Sequence, residues 1–128
     1  MSKQIIHTDK APAAVGPYSQ AVQAPAGKMV FLSGQIGLVP ATGDMVSDKF
    51  EDQVKQAFSN MQAVIEAAGG KLENIVKLNL FLTDLGQFGI VNALMAERLP
   101  QPYPARSTVG VSSLPKGAQF EVEAIIVV

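Results

Sequence analysis

Only two guanidinium groups are available to this chain, those of Arg98 and Arg106, and it carries a single imidazole, His7, and no cysteine. That inventory removes disulfides, thiolate nucleophiles, Cys-His dyads, thiolate zinc sites and any site needing two imidazoles. Arg98 falls late in a predicted helix, where a cation suits the negative end of the macrodipole. Arg106 falls inside a predicted strand, Ala105 to Val111. With Ala105, Ser107, Val109 and Val111 on the opposite side, its guanidinium is expected to share the sheet's second face with Thr108, with Glu121 or Glu123 as neighbours. A planar fork of donors in a partly buried place suits bidentate binding of a small carboxylate or phosphate; it equally suits an Arg-Glu pair across strands. Glu121 and Glu123 could hold and polarise a water, or simply form a solvated strand face. Ser33-Gly34 closes the apolar run Met29 to Leu32, and a glycine there permits close backbone approach to a ligand or marks a bulge. Gly16-Pro17-Tyr18-Ser19 presents a phenol to a pocket or packs it in a turn. His7, near the chain end, is assigned no role, and no P-loop, dinucleotide glycine pattern, metal-ligand cluster or nucleophile elbow appears.

The elements that must position these groups fit one domain spanning residues 1–128. At 13.5 kDa, 48% hydrophobic and 16% charged, with mean hydropathy +0.22, the chain is set to fold and to associate. Net charge −1 and a pI of about 5.7 without a basic cluster leave no electrostatic footprint for nucleic acid. The opening MSKQIIHTDK has no apolar signal core and no stretch reaches the ~20 apolar residues of a membrane span, so a soluble cytoplasmic protein is expected.

Val54, Ala57, Phe58, Met61, Val64, Ile65 and Ala68 draw one stripe down a helix from Asp48 to Ala68, with Ser47 or Asp48 as cap and Gly69-Gly70 as stop. Asn74 to Thr83 alternates as a strand, with Val76, Leu78, Leu80 and Leu82 on one side. A second helix runs from Asp84 to before Pro100, with Phe88, Val91, Met95 and Leu99 inward. Ser19 to Ala24 and Lys28 to Ile36 read as a hairpin around Pro25-Ala26-Gly27, and Gln119 to Val128 as the last strand. The order β-β-β-α-β-α-β-β predicts an α+β mixed sheet with two helices on one face. In the last strand Glu121, Glu123, Ile125 and Val127 share the other face, and such a half-apolar surface predicts a homo-oligomer with candidate site residues at its seams.

Across almost the whole chain the sequence resembles the Rid family of reactive-imine deaminases. The blocks that carry the resemblance are Gly16-Pro17-Tyr18-Ser19-Gln20, Leu32-Ser33-Gly34-Gln35-Ile36, Thr42-Gly43, Glu66-Ala67-Ala68-Gly69-Gly70, Val91-Asn92-Ala93, Tyr103-Pro104-Ala105-Arg106-Ser107 and Leu114-Pro115-Lys116-Gly117, followed by Phe120-Glu121-Val122-Glu123-Ala124. The resemblance implies a chorismate-mutase-like fold assembled as a homotrimer around a central barrel, with three sites at subunit interfaces. It implies hydrolysis of 2-iminobutanoate and 2-iminopropanoate to 2-oxo acids and ammonia without a cofactor. Carried over residue by residue, Arg106 grips the substrate carboxylate, Ser33, Gly34 and Thr108 contact the bound acid, Tyr18 closes the pocket, Asn92 belongs to the site and Glu121 holds the attacking water. Thr108 stands where many relatives have cysteine, and Pro100-Gln101-Pro102 shortens the loop leading to Arg106. Two other readings use the same features: a non-catalytic binder of 2-oxo acids, and an endoribonuclease or translation inhibitor, which the charge balance disfavours.

Overall fold

The computed structural model describes residues 2–128. Two short strands, β1 (Gln4–Ile6) and β2 (Ala21–Gln23), form a separate antiparallel pair. The main sheet contains β3 (Met29–Gln35), β4 (Ile75–Leu82), β5 (Ala105–Gly110) and β6 (Phe120–Val127) in the order β3-β6-β4-β5. β6 runs antiparallel to both its neighbours, and β4 and β5 are parallel. Helices α1 (Phe50–Ala67) and α2 (Phe88–Arg98) cover one face, as expected for the α+β class.

The alternation in β4 and β6 explains that layering. Leu78, Leu80 and Leu82 stand opposite Ala124, Val122 and Phe120, and all six are buried beneath the helices. Phe120 meets Phe58 in a stacked contact at 5.8 Å and Phe50 edge-on at 6.2 Å. Each such fully buried side chain contributes roughly 1.5–3 kcal/mol. α1 ends as its Gly-Gly stop predicts: Gly69, at φ +83°, donates to Glu66 O, and Gly70 donates to Ile65 O, which together make a Schellman closure. Its start differs from expectation. Ser47 lies too early to cap, and its hydroxyl instead accepts from Lys49 N and donates to Asp52 Oδ2. Asp84 caps the 3₁₀ turn Leu85–Gln87 that precedes α2, by accepting from Gly86 N.

Two strand expectations are corrected. The segment expected to form a hairpin with β3 pairs with β1 instead, because Lys28 exchanges backbone hydrogen bonds with Val128 and carries the chain onto β6. A bulge between Ile75 and Lys77 re-aims Ile75 into the core, although its sequence parity sets it with the outward residues.

β1 is tied down through Lys3, only 8% exposed, whose ammonium donates to Ile75 O at 2.7 Å. Burial lowers its pKa below 10.5, and Glu73 partly opposes the shift. Between that lowered value and 10.5 the unfolded chain binds more protons than the folded one, so stability rises with pH through this window; below it both states are protonated and the contribution is constant. Urea denaturation should therefore show wild type gaining on Lys3→Met as the pH climbs toward 10.5. A pH-independent difference would mean that Lys3 titrates as it does in the unfolded chain.

Candidate functional site

Arg106 stands opposite Leu78 in the parallel β4–β5 ladder, and Thr108 stands opposite Leu80. Directly paired residues project to the same side, so both lie on the helix-covered face. This corrects the expectation that Arg106 shares the second face with a glutamate. Glu121 stands opposite Phe81 and Glu123 opposite Asn79, on the face away from the helices. The alternative reading, an Arg-Glu pair across strands, is not met: among the described residues the ion pairs are His7–Asp9 and Lys55–Glu51. Arg98 ties the two helices together through Lys55 O and Ser59 Oγ, a structural role.

Around Arg106 the chain assembles Tyr18, Asn92 and Thr108, three of the residues singled out in the sequence. Nη1 donates to Asn92 Oδ1 at 2.7 Å, and the guanidinium carbon lies 4.6 Å from the centre of the Tyr18 ring. Burial lowers the Arg106 pKa, and Tyr18 partly offsets the shift. An arginine nonetheless keeps its charge at neutral pH. The Thr108 hydroxyl is buried without a hydrogen-bond partner among the described residues. Val15, Tyr18, Phe88, Arg106 and Thr108 line an open cavity of about 280 Å³. A half-buried cation with no acidic partner among the described residues, beside an unpaired hydroxyl, has donors suited to an anion.

The loop carrying Tyr18 is held from both sides. Ser19 N donates to Pro104 O at 3.0 Å and its hydroxyl to Tyr103 O, fixing the loop to the entrance of β5. Gln20 Nε2 donates to Thr8 O and Pro12 O, while its Oε1 accepts from Thr8 N, bracing the preceding segment. Gly16, at φ +130°, brings the backbone so near that a Cβ would lie 3.5 Å from Arg106 Nη2.

Ser33, Gly34 and Glu121 form a separate group. The β3 ladder slips between Leu32 and Gln35, so Ser33-Gly34 is a bulge, and the Glu121 carboxylate occupies the space a Gly34 side chain would fill. Glu121, Gly34, Gln35, Ile36, Leu38, Pro115 and Lys116 line a second open cavity, of about 300 Å³. Geometry also ranks the two carboxylates, which sequence spacing leaves level. Glu123 Oε2 accepts from Asn79 Nδ2 at 3.1 Å, whereas Glu121 has no such partner among the described residues and faces the cavity. Buried Asn60 and Gln53 of α1 hold this wall: Asn60 donates to Ile36 O and Leu38 O, and Gln53 accepts from Gln119 N. Neither was legible as a support in the sequence, where both look like polar positions on a surface helix.

The candidate residues thus fall into two groups on opposite faces of one sheet, one around Arg106 and one around Glu121. Phe88, a site neighbour that the sequence assigns only to the core stripe, belongs to the first; its spacing of four residues from Asn92 is the signal that could have found it.

A family model described as Endoribonuclease L-PSP matches residues 8–128. The chain is 49% identical to a 2-iminobutanoate/2-iminopropanoate deaminase of Dermatophagoides farinae, over 98% of this chain and 97% of that protein. It is similar to the crystal structure of RidA from Psychrobacter sp. PAMC 21119, at TM-score 0.77 and 48% identity, covering 98% of this chain and 99% of that one. It is also similar to E. coli TdcF with bound serine, at TM-score 0.73 and 39% identity, covering 98% of each chain.

Proposed function

The chain belongs to the endoribonuclease L-PSP, or Rid, family, and from that premise we propose that it is a deaminase hydrolysing 2-iminobutanoate and 2-iminopropanoate to 2-oxo acids and ammonia. The observation that carries this reading is the Arg106 guanidinium, half-buried beside the Thr108 hydroxyl, with no counter-ion to the one and no hydrogen-bond partner to the other among the described residues. Arg106 receives the substrate carboxylate through two parallel N–H donors, Thr108 contributes its hydroxyl, and Tyr18 covers the bound acid. Asn92, bonded to Nη1, acts on Arg106 itself and sets how the fork presents.

The reacting carbon of a protonated imine is already electrophilic, so the protein needs only to hold the substrate and aim a water. Glu121 accepts a proton as that water's oxygen bonds to the imine carbon, converting C=N to C–N. The carbinolamine nitrogen takes up the proton held by Glu121, the hydroxyl gives its own proton to the same carboxylate as C=O forms, and the C–N bond breaks to release ammonia. The Ser33 side chain and the Ser33-Gly34 backbone border the water's position.

One chain cannot bring Arg106 and Glu121 to the same substrate, because they project from opposite faces. We infer that a site combines the Arg106 half of one subunit with the Glu121 half of another, in a homotrimer whose open sheet faces meet around a barrel. Phe31, 68% exposed on the face that carries Glu121, supports such contact. RNA cleavage finds no support in the geometry: His7 is exposed, bonds Asp9 and lines neither half-site.

The test generates the imine with a threonine dehydratase in the presence of semicarbazide and follows the semicarbazone. Wild-type protein should suppress it; an unchanged signal with dehydratase turnover intact would turn the reading to a 2-oxo acid binder. Gly34→Ala probes the second half-site. Because the new methyl would collide with the Glu121 carboxylate, kcat should fall at least about tenfold, while 2-oxobutanoate binding through Arg106 persists within about twofold. Unaltered kcat would remove Glu121 from the chemistry.

A further inference from the structure

Phe88, Asn92 and Met95 recur at i, i+4 and i+7 on α2, and all three meet the Arg106 guanidinium. Asn92 Oδ1 accepts from Nη1 at 2.7 Å, Met95 Sδ lies 3.5 Å from the same nitrogen, and the Phe88 ring centre is 5.0 Å from the guanidinium carbon. Tyr18 provides a second ring, but from a loop, whereas Phe88 projects from the first turn of a helix and also packs against the core. Proteins usually steady a half-buried arginine with a carboxylate; here no acidic side chain is within ion-pairing distance among the described residues. The distinction matters for binding. A carboxylate would occupy the same donors the substrate needs, while a ring face attracts the cation through its quadrupole and supplies no competing acceptor oxygen.

We propose that Phe88 is a positioning residue for carboxylate recognition: it holds the Arg106 guanidinium in its receptive orientation in place of a counter-ion. The inference rests on Arg106 being the carboxylate anchor. Phe88 and Asn92 divide the work, since Asn92 consumes one Nη1 donor and fixes rotation about the fork while Phe88 holds its distance from α2. Phe88 therefore acts on substrate binding through Arg106, and the reacting carbon is left to Glu121.

The experiment compares Phe88→Leu and Phe88→Tyr for steady-state kinetics, for 2-oxobutanoate affinity by calorimetry, and for the Arg106 Nε–Hε resonance by NMR, with Arg106→Ala assigning that resonance. Phe88→Leu should raise KM and the 2-oxobutanoate Kd about tenfold, the loss expected for a desolvated cation–π contact, with kcat changed less than about threefold. The guanidinium resonance should move as the ring current is lost. Phe88→Tyr, which keeps a ring face, should return both constants to within about twofold of wild type. In an Arg106→Ala background Phe88→Leu should add no further loss of affinity. If the leucine variant melts early, Phe88→Met, which retains apolar volume without a quadrupole, repeats the comparison. The proposal is overturned by KM and Kd unchanged in Phe88→Leu, by a tyrosine variant as impaired as the leucine one, or by an equal loss in the Arg106→Ala background. Wild type that binds 2-oxobutanoate through Arg106 but hydrolyses no imine would overturn the deaminase reading and leave the Phe88 role to be judged on Kd and resonance alone.

Discussion

Arg106→Ala is expected to reduce kcat/KM for imine hydrolysis by at least about a thousandfold, with the fold intact. The loss has two sources. A bidentate, charge-assisted contact in a partly desolvated site is worth about 2–5 kcal/mol when one partner is removed. The same contact fixes the imine carbon relative to the water, and imprecise placement costs further rate even at saturating substrate, so kcat should fall along with the rise in KM. Stability should change little, because Arg106 makes no ion pair among the described residues and is held partly desolvated at some cost. Arg106→Lys should recover only a small part of the activity, since an ammonium cannot reproduce the planar fork or sit equally well against Phe88 and Tyr18. The measurement is the semicarbazone competition assay with purified variants, accompanied by thermal melts and 2-oxobutanoate calorimetry. Activity retained within about tenfold, in a variant that no longer binds the 2-oxo acid, would separate the carboxylate pocket from the chemistry.

Individual residues show which kinds of structure can be read from sequence and which cannot. The α1 stripe and the β4 and β6 alternations were legible because burial imposes a period on the chain, and Val54, Phe58, Met61 and Ile65 are buried as that period requires. The face of Arg106 was not. Strand parity says that Arg106 and Thr108 share a side, but which side the helices cover is decided by register with β4, where a one-residue slip would reverse every side chain. The sequence of β5, Ala-Arg-Ser-Thr-Val-Gly, supplies no apolar period to reveal that register. The β2 pairing was missed for a related reason: its partner β1 is three residues long and exposed throughout, too short to show alternation. Phe88 was legible as an inward residue of α2 but not as an arginine's neighbour, since only the packing of α2 on β5 brings them together. The identities of the candidate residues came from local motifs; their division between two faces is a property of the sheet.

That division yields the second large effect, a gain obtained by mixing two inactive proteins. Arg106→Ala and Glu121→Gln should each be nearly inert alone, the latter by about 10²–10⁴-fold because the amide keeps the carboxylate's shape but cannot take the water's proton. Co-expressed in equal amounts and assembled at random, they should recover about a quarter of wild-type activity, since a site drawing Arg106 from one subunit and Glu121 from another finds both intact in about a quarter of cases. No such recovery is possible if both groups act from one chain, because every site would then contain one defect. The geometry favours the first outcome: Arg106 follows Leu78 to the helix face of the sheet, Glu121 follows Phe81 to the other, and each lines its own open cavity. Gln is the replacement of choice at Glu121, because a smaller residue would empty the space above Gly34 and let the β3 bulge relax, confounding lost chemistry with lost assembly. Sedimentation of each single variant and of the mixture supplies the control. Equal oligomeric states with no recovered activity would place both half-sites' chemistry within one subunit and require a strand rearrangement that this sheet register does not allow.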